Sequence, residues 1–180
     1  KDPVDHPVSL YAATKRGCEL MSESYVRLYQ LPQTGLRFFT VYGPWGRPDM
    51  ALYIFTKAIF EGRPLPVFND GQMRRDFTYI DDIVAGVISA LDKAPGEDQP
   101  HRLFNLGNTR SEELMDFIGL IEKEAGIKAE IEFQDMQKGD VQQTYADISE
   151  SREHLGYNPT TTIEEGVPKF VEWFRRYHNH

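Results

Sequence analysis

Cysteine is almost missing from this sequence: Cys18 is the only one in 180 residues. One thiol excludes an intrachain disulfide framework and a multi-cysteine zinc site, and it fits a reducing, cytoplasmic compartment. Positive charge is also scarce. Lys and Arg number 20 against 28 Asp and Glu, a net charge of −8. That balance argues against a nucleic-acid partner, whose phosphates call for a basic face, and against attachment to an anionic membrane surface. No apolar run approaches the ~18 residues of a membrane span. No charged-then-apolar leader opens the sequence, and there is no repeat or low-complexity tract. His6, His101, His154, His178 and His180 have no partners at ligand spacing, so we read them as surface residues and expect no metal. With 40% hydrophobic and 27% charged residues, close to the globular average, the chain is long enough for one domain, or one with a small appendage. It opens at Lys1-Asp2-Pro3-Val4 without Met and reaches a catalytic-looking segment almost at once. It therefore reads as cut from something longer.

What is present alternates between helix and strand signals. Leu20, Met21, Ser24, Tyr25 and Leu28 repeat at helical spacing within a stretch from Ser9 to Tyr29, which Leu31-Pro32 stops. Residues 35–42 are short, aromatic and β-branched, and predict one strand. The turn-dense 43–48 loop leads to a helix over 51–61, closed by Gly62. An extended piece at Pro66-Val67-Phe68, a turn at Asn69-Asp70-Gly71 and a strand over 76–80 follow. Asp81 is the expected N-cap of a helix over 83–93. Further strands are expected at 102–106 and 129–133. A helix beginning at Ser111 should run to Glu124, a short one over 148–155, and a last one over 163–177, capped within Thr160-Thr161-Thr162. Residues 135–143 read as polar and irregular. Such βα alternation implies a mostly parallel, helix-covered sheet, here with a smaller capping lobe.

The first chemical signal is Tyr11-Ala12-Ala13-Thr14-Lys15. Tyr and Lys at i and i+4 share a helix face. An ammonium one turn from a phenol stabilises the phenolate, which suits the Tyr to general acid/base work on a hydroxyl. Spacing alone is a weak signal, and Tyr53-Ile54-Phe55-Thr56-Lys57 repeats it. The residues between differ. Ala12, Ala13 and Thr14 are small and let a flat cofactor ring approach, whereas Ile54 and Phe55 look like core. We therefore read Tyr53 as an ordinary helix-surface residue.

Specificity comes from order. Ser9-Leu10-Tyr11-Ala12-Ala13-Thr14-Lys15 is followed by Gly35-Leu36-Arg37-Phe38-Phe39-Thr40-Val41-Tyr42-Gly43-Pro44, then Arg75-Asp76-Phe77-Thr78-Tyr79-Ile80-Asp81-Asp82, then Asn105-Leu106-Gly107. This succession resembles the extended short-chain dehydrogenase/reductases, the NAD-dependent epimerase/dehydratase family of nucleotide-sugar enzymes. The stretch from Thr40 to Ala51 most resembles the UDP-glucuronate 4-epimerases. The resemblance covers essentially the whole chain and corresponds to the C-terminal half, or slightly more, of such an enzyme. One departure is large. The family's Gly-x-x-Gly-x-x-Gly pyrophosphate loop has no counterpart here; the only Gly-x-x-Gly, Gly43 to Gly46, falls after the Tyr/Lys helix. The family's upstream Ser/Thr partner of the catalytic Tyr is missing too.

The resemblance implies an α/β fold: the C-terminal part of an extended Rossmann-type sheet plus a smaller substrate-binding lobe. Residues 1–43 would end the NAD-binding domain, and 44–180 would form mainly the substrate lobe, with about 76–106 returning to the sheet. It implies Tyr11 and Lys15 as the catalytic pair, both also touching NAD. Arg75 would clamp a pyrophosphate, for which a guanidinium fork is suited, with Arg74 solvated or paired. Arg47, Met50 and Thr40 would face the sugar, Arg47 against a uronate carboxylate. The plainer readings are a loop-steadying Arg47 and a strand-forming Thr40. Pro66 and Phe68 would pack around the uracil, or be core. Asp140 would hold the ribose hydroxyls, or be a plain turn residue. Gln137 stands where many relatives carry a second phosphate-binding Arg. The implied activity is UDP-glucuronate to UDP-galacturonate 4-epimerisation through a 4-keto sugar, by a homodimer. The alternatives are another UDP- or dTDP-sugar 4-epimerase, a 4,6-dehydratase or a decarboxylase, and, in a different class, a non-catalytic fragment that only binds sugar nucleotide or dimerises. We expect residues 1–180 alone to be inactive.

Overall fold

The computed structural model describes residues 4–136 and 139–180; residues 1–3, Gln137 and Lys138 lie outside them. The first helix, α1 (Leu10–Tyr29), starts where the Ser9 side chain accepts a hydrogen bond from the Ala12 N–H at 3.2 Å, satisfying one of the donors a helix start leaves free. It ends at Gln30, in the left-handed conformation. The expected single strand over 35–42 is in fact two, β1 (Gln33–Phe38) and β2 (Thr40–Tyr42). Phe39 separates them because the chain changes partner there. The Phe39 N–H still donates to Leu106 O at 3.1 Å, and the Thr40 N–H donates to Asp76 O at 3.2 Å.

Helix α2 (Ala51–Glu61) ends as expected at Gly62, which adopts φ 61°, a region glycine enters without a Cβ penalty. β3 (Leu65–Phe68) follows, and then β4 (Arg74–Arg75) and β5 (Phe77–Tyr79). The next helix, α3 (Ile80–Asp92), begins three residues earlier than the sequence suggested. Tyr79 occupies the cap, while Asp81 and Asp82 lie in the first turn, where negative charge favours the helix dipole. The Asp82 carboxylate accepts instead from the Thr160 and Thr161 N–H groups, at 3.2 and 3.0 Å. After β6 (His101–Leu106), residues expected to open a helix form β7 (Glu112–Glu113), held antiparallel to β4. Helix α4 (Leu114–Ala125) therefore begins later than Ser111. β8 (Ile131–Gln134), α5 (Ser149–Leu155) and α6 (Ile163–His178) complete the chain. The expected cap of α6 is Thr162, in a reciprocal capping box with Glu165.

The fold is α/β. β1 pairs with β6, β2 with β5 and β3 with β8, all parallel. Two buried cores carry these pairs. In one, α2, α4 and α6 close over β3 and β5, with Phe77 stacked on Phe117 at 3.9 Å between ring centroids. In the other, Ile83, Phe104, Leu106, Ile148, Leu155 and Tyr157 join α3 and α5 to β6. Tyr53, expected at the helix surface, is half-buried and packs against the first core. Its ring packs against Phe170, Trp173 and Phe174, and its hydroxyl lies 2.8 Å from His178 Nε2. α6 covers that face of α2. His178 is thus partly buried, and so is His101, which lies within hydrogen-bond distance of both Glu23 and Ser22 on α1. His6, His154 and His180 are exposed.

Gly107 shows how tightly the second core closes around Asp76. A Cβ there would overlap the Ala146 side chain and sit 3.2 Å from both Asp76 Oδ2 and Phe39 Cδ2. The Gly107→Ala variant is expected to lose about 1–3 kcal/mol, the usual cost of overfilling a packed interior. The check is its thermal unfolding midpoint, which should fall by several degrees; an unchanged midpoint would contradict the close packing.

Candidate functional site

The face of α1 that carries Tyr11 and Lys15 is open to solvent. Tyr11 is 71% exposed, and Lys15 Nζ lies 5.9 Å from the centre of its ring. The helical spacing puts the two side chains on one side, with Ala12 and Ala13 between them adding no bulk. α1 is fastened from its other side. Arg37 of β1 donates from Nε and Nη2 to the two Glu19 oxygens at 2.6 and 2.8 Å, and Arg16 donates to Glu19 at 3.1 Å. The Arg37 hydrogen bond holds the Glu19 carboxyl below its ordinary range, against a smaller opposing effect of burial and with help from Arg16. This clamp fixes the rotation of α1 about its axis, and so the direction the pair faces.

Thr40, the first residue of β2, stands with Arg47 and Met50 around one narrow depression, whose wall also includes Gly43, Gly46 and Tyr53. The loop between β2 and α2 makes that possible. Gly46 N–H donates to Gly43 O, and Met50 N–H to Arg47 O, both at 3.1 Å, and Trp45, at φ 63°, packs on Trp173 and Tyr177 of α6. Arg47 donates to both oxygens of Asp49, at 3.0 and 2.7 Å, in full solvent. Its guanidinium is held above its ordinary value chiefly by that hydrogen bond and the Asp49 charge.

Arg75 and Asp140 are brought together: Arg75 Nη2 donates to Asp140 Oδ1 at 2.8 Å, and Nη1 donates to Arg74 O and Gln142 O. Arg74 is paired, with Glu113 at 2.7 Å. This loop approaches the start of α1, since a Cβ on Gly139 would lie 3.7 Å from Val8 O and 3.9 Å from Ser9 Cβ. Pro66 and Phe68 share the half-buried face of β3, opposite the buried Leu65 and Val67. They do not line the depression beside Thr40. Gln137 lies outside the described residues. Among those described, no group of three or more His, Cys, Asp or Glu is placed to hold a metal ion, and no helix is long and apolar enough to cross a membrane.

Three residues here escaped the sequence reading. Asp49 is two positions from Arg47, Trp45 braces the same loop, and Asp76 is a fully buried carboxylate next to Arg75. Asp76 sat inside a recognised run, and only its burial sets it apart. Tyr42 is the counter-example to Tyr11. Burial pushes its phenol well above the ordinary value, with smaller effects from Tyr79 and Asp82, and its hydroxyl donates to Thr162 O at 3.1 Å.

Residues 1–107 match the sequence profile of the NAD dependent epimerase/dehydratase family. The chain belongs to that family. Among its relatives, Protein CapI of Staphylococcus aureus is 47% identical over 191 residues, which cover 98% of this chain and 57% of CapI. UDP-glucuronate 4-epimerase 1 of Arabidopsis thaliana is 45% identical over 192 residues, covering 99% of this chain and 45% of that protein. The crystal structure of UDP-glucuronic acid 4-epimerase from Bacillus cereus, in complex with UDP-glucuronic acid and NAD, superposes with a TM-score of 0.89 at 35% identity, covering 96% of this chain and 54% of that one. The chain thus spans about half the length of the curated epimerase/dehydratase relatives it matches.

The Glu19 clamp gives a pH-dependent prediction. A carboxyl whose pKa is lowered on folding adds stability above its unfolded value and loses it as pH falls through the folded one. Glu19→Gln should therefore lower stability at pH 7 by about 1–2 kcal/mol, the scale of a hydrogen bond to a charged group. The difference should close as pH drops below the carboxylate range. Thermal unfolding of both proteins from pH 7 to pH 3 checks it; parallel curves would contradict it.

Proposed function

We propose that this chain supplies the catalytic pair and the substrate side of an NAD-dependent nucleotide-sugar 4-epimerase, acting on UDP-glucuronate to give UDP-galacturonate. The observation that carries the reading is the solvent-facing Tyr11/Lys15 pair, with Lys15 Nζ 5.9 Å from the centre of the exposed Tyr11 ring. The name of the Arabidopsis relative and the ligands of the Bacillus structure support it. The residues present fit the nicotinamide-ribose end of NAD. The pair is exposed on one face with only small side chains between, and Lys15 offers ribose hydroxyls three donors. The sequence holds no glycine-rich pyrophosphate loop.

In this mechanism Tyr11 takes the proton of the sugar's C4 hydroxyl, and Lys15 balances the charge that develops on the phenolate. NAD, when bound, supplies the hydride acceptor at C4 and returns the hydride. The 4-keto sugar would turn between the two transfers, so that C4 is reduced on its opposite face and Tyr11 returns the proton to the C4 oxygen. Arg47 meets the C5 carboxylate with the donors that Asp49 does not occupy, beside Thr40 and Met50. Arg75 binds the diphosphate while Asp140 faces the ribose hydroxyls, as neighbouring parts of one nucleotide suit side chains 2.8 Å apart. Pro66 and Phe68 pack at the uracil. Residues 1–43 close the cofactor domain and 44–180 form mainly the substrate lobe, with about 76–106 rejoining the sheet. The exposed Leu20, Met21, Tyr25 and Leu28 of α1 form an apolar stripe of the kind that marks an interface, and we assign it to a second copy in a cytoplasmic homodimer.

In the full-length gene product, Tyr11→Phe should cut kcat by at least about 100-fold, followed as UDP-galacturonate formed from UDP-glucuronate. Near-normal turnover sinks the role of Tyr11, and a 4,6-dehydrated product replaces the epimerase reading with the dehydratase one. The isolated 180 residues, assayed alike with added NAD, should show no turnover; measurable epimerisation would overturn that expectation.

A further inference from the structure

Asp76 is completely buried, yet its carboxylate is surrounded by donors from three separate parts of the chain. Oδ1 accepts from the Asn108 N–H at 2.7 Å and from the Thr78 hydroxyl at 3.0 Å. Oδ2 accepts from the Thr109 N–H at 3.0 Å and the Ala146 N–H at 3.1 Å. The backbone of the same residue is equally engaged. Its N–H donates to the Thr144 hydroxyl at 3.0 Å, and its carbonyl accepts from the Thr40 N–H at 3.2 Å. Thr109 is in the left-handed conformation, at φ 64°, a strained choice for a branched residue, and its N–H points at the carboxylate.

Apart from the 108–109 turn, each segment tied here carries a residue of the site or leads directly to one. Thr40 is bonded to the Asp76 carbonyl. Arg75 precedes Asp76. The 144–146 segment continues from Asp140 and from Gln142, both of which hold the Arg75 guanidinium. Asp76 cannot reach a ligand itself, because none of its surface is exposed. Resting on the reading above, we propose that Asp76 is a positioning residue for nucleotide binding, which fixes Arg75 against the 140–146 segment and so sets the guanidinium at the substrate's diphosphate. A carboxylate is required because both oxygens accept. The amide of an Asn would turn an NH2 group against at least one backbone N–H, whichever way it is flipped, and a buried N–H would lose its partner.

The test is calorimetric titration of UDP into the full-length gene product and its variants, with circular dichroism and thermal unfolding as checks of folding. Asp76→Asn should weaken UDP binding about tenfold, the scale of one lost bond to a charged group. Thr144→Val removes only the side-chain acceptor of the Asp76 N–H, and should weaken binding a few-fold while the protein stays folded. In an Arg75→Ala background both substitutions should cost less than about twofold further, because the group they position is gone. If Asp76→Asn does not fold, the Thr144→Val pair of measurements decides. Unchanged UDP affinity in Asp76→Asn and Thr144→Val overturns the proposal while leaving the site assignment intact. Equal losses with and without Arg75 overturn it too, since Asp76 would then be acting on the fold at large. No UDP binding by the unsubstituted protein overturns the site assignment, and this inference with it.

Discussion

The change of strand partner at Phe39 is the constraint on which the rest of the arrangement depends. Up to Phe38 the strand is a regular parallel neighbour of β6; from Thr40 it is a neighbour of β5. A continuous pairing would carry Thr40 and the loop after it along β6. The switch delivers them to the start of the Arg75–Tyr79 run instead, where Thr40 meets the main chain of Asp76. Ligands of open α/β sheets gather beyond the carboxyl ends of strands, and β2 ends in the Gly43–Pro48 loop that bears Arg47. This stretch of backbone, with the side chain and main chain of Asp76, is one of the links between the two hydrophobic cores.

Helix α1 depends on the same strand in a different way. Its buried contribution to either core is small, with Val26 its one buried side chain among the described residues. Polar contacts do what packing does elsewhere: Glu19 with Arg37 and Arg16, Ser22 with Gln33, and Glu23 with His101. Three anchors at positions 19, 22 and 23 share one helix face. The stripe through Leu20, Met21, Tyr25 and Leu28 is left on another, and Tyr11 and Lys15 extend from the N-terminal turns. A helix fixed by directional bonds keeps a definite rotation with little buried area, which is what a solvent-facing pair of side chains requires.

Much of this was legible in the residues. α1, α2, α5 and α6 lie within a residue or so of where the sequence pattern put them, and for α2 and α6 the end signals, Gly62 and Thr162, act through local geometry alone. The elements that shifted did so under long-range forces. The 35–42 run reads as one strand because nothing in its composition marks a change of neighbour. Ser111 yielded the helix start because residues 112 and 113 are drawn into pairing with Arg74 and Arg75, and Asp81 lost the cap because α3 begins directly out of β5. Tyr53 has the sequence context of a surface tyrosine until α6, over a hundred residues later, folds across it. For the site, type and order of residues identified Tyr11, Lys15, Arg47, Arg75 and Asp140 as candidates, whereas the carboxylates beside two of them, Asp49 and Asp76, are visible only in three dimensions.

The tyrosines of this chain show why environment, more than spacing, sorts candidates for proton transfer. Tyr42 and Tyr157 are buried, each with its hydroxyl committed to a carbonyl, of Thr162 and Gly107 respectively. Burial raises both phenols well above their ordinary value, with neighbouring acidic groups adding to the shift. Ionising either would place a charge in the core and break a hydrogen bond. Tyr53 has the i+4 lysine that Tyr11 has, but its ring lies among four aromatic neighbours and its hydroxyl meets His178. Its hydroxyl is already engaged by a side chain of α6. Tyr11 alone of these four combines a largely exposed ring with a lysine over it. A phenol must give and take a proton at a group it can touch, and of these four only Tyr11 presents most of its ring to solvent.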